Sequence, residues 1–233
     1  MGAPQLADAV SPQTRGAGLL LVPVGSLEQH GPHLPLDTDT AIARAVADAA
    51  AVRLGATGVP VWVAPPISIG ASGEHQSFAG TLSIGTTVLH QVVVETVRSA
   101  ATWCPRVVLV NGHGGNRAAL VAAAAQLVHE GHDVSWVPCA PPGSDPHAGR
   151  AETSLMLCLR PGSVLLEHAE PGDVRPLRET LPQMRVGGVG AVSANGVLGD
   201  PTGASAREGH RLLAAMVDAL CVELRPGARR AAG

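Results

Sequence analysis

Short, continuously apolar runs alternate with longer helix-patterned stretches along this chain, and that alternation limits its fold more than any other feature. Residues 18–24, Gly-Leu-Leu-Leu-Val-Pro-Val, contain no polar side chain. A strand buried on one face alternates apolar with polar residues, whereas an unbroken apolar run marks burial on both faces. Residues 59–64 and 106–110 and Asp133–Pro138 read as three more strands. Between the first two, Thr38 or Asp39 is placed to cap a helix carrying Ile42, Val46, Ala49 and Leu54 on one face, ended by Gly55 and Gly58. Residues 86–103 form a second helix, ended before Pro105, and residues 115–130 a third, stopped by Gly131. Strand and helix in strict succession imply an α/β fold: a mainly parallel sheet in a three-layer α/β/α arrangement. Arg150–Leu159 reads as a short helix, residues 161–200 as irregular, and residues 204–224 as a last amphipathic helix. With 233 residues there is room for one such domain. It is expected over residues 18–225, between a loose N-terminal segment (1–17) and a loose tail (226–233).

Composition narrows the functions. The chain has three Trp, one Phe and no Tyr, so stacking platforms for nucleic-acid bases are missing. A net charge of -3 offers no electrostatic footprint for phosphate backbones or anionic lipid. No nucleic-acid or membrane partner is expected, and no apolar stretch is long enough to span a bilayer. All sixteen basic residues are Arg, which removes P-loop lysines and Schiff-base chemistry. Cys104, Cys139, Cys158 and Cys221 form no C-x-x-C pair and read as reduced thiols of a cytoplasmic protein.

In open α/β sheets, functional groups gather beyond the carboxyl ends of the strands. Glu28 and His30 follow the first strand, with Asp39 after them; His113 follows the third; His147 and Glu152 follow the fourth. Each has a plainer reading alone. Asp39 is a natural helix cap, Asp37 could replace it as a ligand, His113 between glycines could be a turn residue, and Glu152 a solvated carboxylate. Their recurrence at successive strand ends favours a metal site. Mixed nitrogen and oxygen donors without thiolate suit Zn, Mn or Fe(II), and a pair of such ions points to a hydrolase. The turn at residues 111–116 lacks the G-x-G-x-x-G spacing and the lysine of phosphate cradles. The Gly/Ser-rich stretch 67–85, holding Ser72, Glu74 and His75, reads as an active-site loop.

Residues 22–39, 111–116 and 147–154 resemble the creatininase family of metal-dependent amidohydrolases. The resemblance implies a creatininase-like fold and a homo-oligomer of higher order than a dimer. It also implies two divalent ions, Zn and/or Fe(II), with Mn also suited. One would be held by Glu28, Asp39 and His113, the other by His30, Asp39 and Glu152, with Asp39 bridging and His147 as the catalytic histidine. Creatininase proper carries Glu where this chain has Gly115, and its tryptophans have no clear match in residues 139–145, so creatinine is not the expected substrate. Family members often have Glu at Arg150, which here faces solvent or binds a peptide carboxylate. Residues 70–81 and 196–202 look like the mycofactocin-system members of the family. Those are peptidases that release a modified C-terminal Val-Tyr unit from a precursor peptide during maturation of a redox cofactor. The expectation is thus a peptidase acting on a modified precursor peptide, with Ser72 and His75 lining the pocket. The alternative is a small-molecule amidohydrolase opening a cyclic amide or a formamide.

Overall fold

The computed structural model describes residues 2–141 and 143–224. Four strands, β1 (Leu19–Val24), β2 (Val61–Val63), β3 (Arg106–Asn111) and β4 (Asp133–Pro138), form one sheet in the order β2-β1-β3-β4. Every pairing is parallel, with Leu21 opposite Val63 and Val108, and Val108 opposite Ser135. All six residues of β1 are buried, as an unbroken apolar run requires.

Successive residues of the central strands enter opposite cores. Leu19, Leu21, Val108 and Val110 pack with α1 (Thr38–Gly55), α4 (Arg150–Leu159) and α6 (Ala206–Glu223). Leu20, Val22, Val24, Val107 and Leu109 pack with α2 (Gly85–Ala100) and α3 (Arg117–His129) on the other face. The period of two along each strand thus divides the helices into the two outer layers. The cores are built from Leu, Val and Ala, with Trp62 and Trp136 only partly buried at the rim of the second.

Three expectations change. Residues 161–200 are not wholly irregular: α5 (Leu177–Gly187) lies within them, despite Pro182 in its interior, and only its Thr180 is buried. Leu177, Leu181 and Met184 recur at helical spacing, and the interior proline is what argues against a helix there. The cap of α1 is Asp37, not Thr38 or Asp39, and it makes no side-chain capping bond. Asp39 therefore sits inside the first helical turn. Residues 2–17 carry two short 3-10 turns, and Gln5 pairs with Val63 beside β2 while its Nε2 donates to Asp48. The tail 226–233 lies outside the described residues. Among the described residues no helix is long and apolar enough to cross a membrane.

Candidate metal centre

The parallel sheet brings the carboxyl ends of β1, β3 and β4 to one edge, and the candidate residues converge there. Glu28 and His30 lie on the loop leaving β1, Asp39 in the first turn of α1, and His113 just beyond β3. His147 precedes α4, and Glu152 stands in its first turn. Glu28, His30 and Asp39 are essentially inaccessible to solvent.

Asp39 stands at the middle of the cluster. Its Oδ1 is 3.1 Å from His30 Nε2, its Oδ2 is 3.3 Å from His113 Nδ1, and Ser26 Oγ donates to Oδ2 at 2.5 Å. Glu152 Oε2 lies 3.8 Å from His30 Nε2 and accepts from the Ala148 amide at 2.6 Å. Among the described residues, three groups bring one donor atom per residue within 4.8 Å of one another: Glu28, Asp39 and His113; His30, His147 and Glu152; and Glu28, His75 and His147.

Glu28 gives the sharpest test of whether this cluster suits a cation. Its carboxylate is fully buried, yet among the described residues neither oxygen has a hydrogen-bond partner. His113 Nδ1 approaches Oε1 at 3.1 Å, and His75 Nε2 at 3.4 Å, without hydrogen-bonding alignment. A buried carboxylate without a hydrogen bond is costly even beside a charged imidazole, and a bound cation offsets that cost. The histidines are oriented as ligands are. His30 turns Nδ1 to its neighbour's carbonyl, Glu28 O, at 3.1 Å, and His113 turns Nε2 to Ala71 O at 3.2 Å. In each ring the second nitrogen is left facing carboxylates, the usual outer-shell arrangement of metal-binding histidines.

The electrostatics are those of a charged knot. Burial opposes the His30 cation, but Asp39, Glu152 and Glu28 outweigh it and raise its pKa to about 10. Burial likewise opposes the His113 cation, and the charge of Glu28 with the contacts to Asp39 and Glu74 holds it well above the ordinary histidine value. Asp39 is held well below the carboxylate range, burial notwithstanding, by His30 and His113. Burial pushes Glu152 up to about 7 against the pull of His30. His147 is depressed well below its usual value by burial and by the neighbouring His30 and His75. A cavity of about 150 Å³ opens onto the cluster, lined among others by Asp39, His113, His147 and Glu152. Cys139 also lines it, but burial and the Asp39 charge push its thiol up to about 12.

The structure separates Asp37 and Arg150 from this centre and sets His75 within it. Asp37 is paired with Arg160 at 2.7 Å on the surface. Arg150 pairs with Glu208 at 2.7 Å. Ser72 is fully buried and its Oγ has no hydrogen-bond partner among the described residues. His75 is buried beside Glu28, with ring centroids 4.4 Å from His147 and 6.0 Å from His113.

Two residues escaped the sequence reading. Glu74 Oε1 lies 3.4 Å from His113 Nε2, and a side chain at Gly115 would overlap both that oxygen and Ala71 O. A carboxylate from the loop thus fills the space that a larger residue at position 115 would need. Its one sequence signal was its place beside His75 in the Gly/Ser-rich loop. Gln29, between two candidate ligands, bonds to His75 through its side-chain amide and to His147 through its backbone carbonyl.

A parallel α/β/α fold with carboxylates and histidines gathered at the strand ends is the architecture of a metallohydrolase. The family model described as creatinine amidohydrolase matches residues 3–224. The chain is 55% identical over 201 residues to the mycofactocin precursor peptide peptidase of Mycolicibacterium smegmatis, covering 86% of this chain and 81% of that one. A solved mutant creatininase complexed with creatine superposes with a TM-score of 0.77 at 26% identity, covering 96% of this chain and 100% of that one. The structure of a creatininase described as the Mn form gives 0.76 at 26% identity over 94% and 96%. The chain belongs to the creatininase family and is a hydrolase acting on amide bonds.

Proposed function

We propose that this protein is a dinuclear metal-dependent peptidase that cleaves the modified mycofactocin precursor peptide and releases its C-terminal Val-Tyr-derived unit. The observation that carries the reading is the 55% identity, over most of both chains, to a peptidase of that name. The buried Glu28 carboxylate, which among the described residues has no hydrogen-bond partner, supports the metal requirement.

Glu28, Asp39 and His113 would hold one ion, and His30, Asp39 and Glu152 the other. Asp39 suits a bridging role because its two oxygens face different histidines, His30 and His113. Zn and/or Fe(II) are the proposed ions, with Mn also compatible with these donors. When bound, such ions supply Lewis acidity and make water nucleophilic near neutral pH. His147, kept neutral by its surroundings, accepts a proton and delivers it to the departing amine as the C–N bond breaks. Ser72 and His75 belong to the substrate side of the site in this reading. The protein would work in the cytoplasm as a higher-order homo-oligomer.

The test is to incubate the zinc- or iron-loaded protein with the modified precursor peptide and, separately, with creatinine and a formamide, following products by mass spectrometry. Release of the Val-Tyr-derived unit is expected. Turnover of a small amide alone, with the peptide left intact, would overturn the reading.

A further inference from the structure

We propose that Gln29 fixes the tautomers of two histidines beside the metal centre, turning the Nδ1 lone pair of His147 and the Nε2–H of His75 toward Glu28. Gln29 is buried, and its amide orientation is set by two backbone groups that cannot exchange roles. Its Oε1 accepts from Gly31 N at 2.9 Å, and its Nε2 donates to Gly196 O at 3.1 Å. The same Nε2 is 2.8 Å from His75 Nδ1. Since an amide nitrogen only donates, His75 Nδ1 accepts, and the His75 proton resides on Nε2. That nitrogen lies 3.4 Å from Glu28 Oε1.

The second histidine is held by the same residue through its backbone. His147 Nε2 is 2.8 Å from Gln29 O, which only accepts, so His147 Nε2 carries a proton. Gln29 Nε2 also comes within 3.0 Å of His147 Nε2. That contact is not a hydrogen bond, because both amide hydrogens are committed to His75 and Gly196 and a protonated ring nitrogen cannot accept. Neutral His147 therefore leaves Nδ1 bare, 3.7 Å from Glu28 Oε1.

Two loop segments far apart in the chain meet in this arrangement. His75 comes from residues 70–81 and Gly196 from residues 196–202, and the two meet at the Gln29 amide. Position 196 tolerates only glycine: its φ is 81°, and a Cβ there would overlap Gln29 Oε1. The catalytic consequence rests on the peptidase reading, whereas the tautomers do not. His147 can take and return a proton at Nδ1, and His75 can give a hydrogen bond from Nε2. Gln29 touches no substrate in this scheme; it is a positioning residue.

Long-range proton–nitrogen NMR correlation on the zinc-loaded, ¹⁵N-histidine-labelled protein reads both tautomers directly. The wild type should show His75 and His147 each protonated at Nε2. In Gln29→Glu the new carboxylate only accepts, so the His75 proton should move to Nδ1 while His147, held by a backbone carbonyl, stays unchanged. A change confined to one ring is not what a general loosening of the fold would produce. Peptide kcat should fall about 10- to 100-fold with KM little altered. A wild-type His75 protonated at Nδ1, a His75 tautomer unmoved in Gln29→Glu, or an unchanged kcat in that variant would each overturn the proposal. The expected tautomers in a wild type that leaves the peptide intact would instead refute the peptidase reading alone.

Discussion

Loading the metal-free protein with zinc should expel protons, and their number follows from the side chains that would bind. Ligand atoms must be deprotonated before they coordinate. At pH 7 in the metal-free protein His30, with its pKa raised to about 10, is a cation, and so is His113, held well above its ordinary value. Glu152, at about 7, is half protonated. Filling both sites at pH 8 should therefore release about two protons per chain, from His30 and His113, and more at lower pH, where Glu152 also carries one. The overall binding constant should rise about 100-fold per pH unit around pH 8, about tenfold for each proton lost. Isothermal titration calorimetry at pH 8, in buffers of differing ionisation enthalpy, counts the protons from the slope of observed heat against buffer ionisation enthalpy. The same linkage acts on folding. His30 has its pKa raised above the unfolded value, so its contribution is complete below about pH 6.5 and is lost as pH rises through about 10. That shift is held jointly by Asp39, Glu152 and Glu28 against burial. The metal-free protein should thus lose stability between pH 7 and 10. A calorimetric slope near zero would refute the reasoning, because it would mean that zinc displaces no protons from these histidines.

Three further outcomes are expected. Asp39→Ala removes the carboxylate facing both His30 and His113 and should strip both ions; elemental analysis finding two ions per chain in that variant would refute the bridge. His147→Ala should leave metal content intact while lowering peptide turnover by about 10²–10⁴, as steady-state kinetics would show. Leu109→Ala, which opens a hole in the fully buried core beneath α2 and α3, should cost about 2–5 kcal/mol in urea unfolding.

The secondary structure of the core was legible because buried strands announce themselves. Residues 18–24 and 107–110 had no polar face to show, and both became central strands of a parallel sheet. The conserved geometry of such sheets also made Glu28, His30 and His113 readable, since functional groups beyond strand carboxyl ends need no knowledge of long-range contacts. Helix α5 was hidden for a different reason: Pro182 in its interior argues against a helix, although Leu177, Leu181 and Met184 recur at helical spacing and the helix runs through the proline. The cap of α1 was misplaced because Asp37, Thr38 and Asp39 offer similar local chemistry; the choice went to the geometry that puts Asp39 inside the helix and over the site.

By itself the sequence determined the strand–helix succession and the inventory of carboxylates and imidazoles, both of which are local properties of the chain. Only the tertiary structure decided which of them face one another. The sheet order β2-β1-β3-β4 sets β1 beside β3, and so brings Glu28 and Asp39 to His113. It also carries Glu74 into the space beside Gly115 and lays Gln29 against His75 and His147, 46 and 118 residues away. No periodicity encodes such meetings. They arise when burial of two separate apolar faces fixes the loops between them, and the orientation of each imidazole follows from the partners found there.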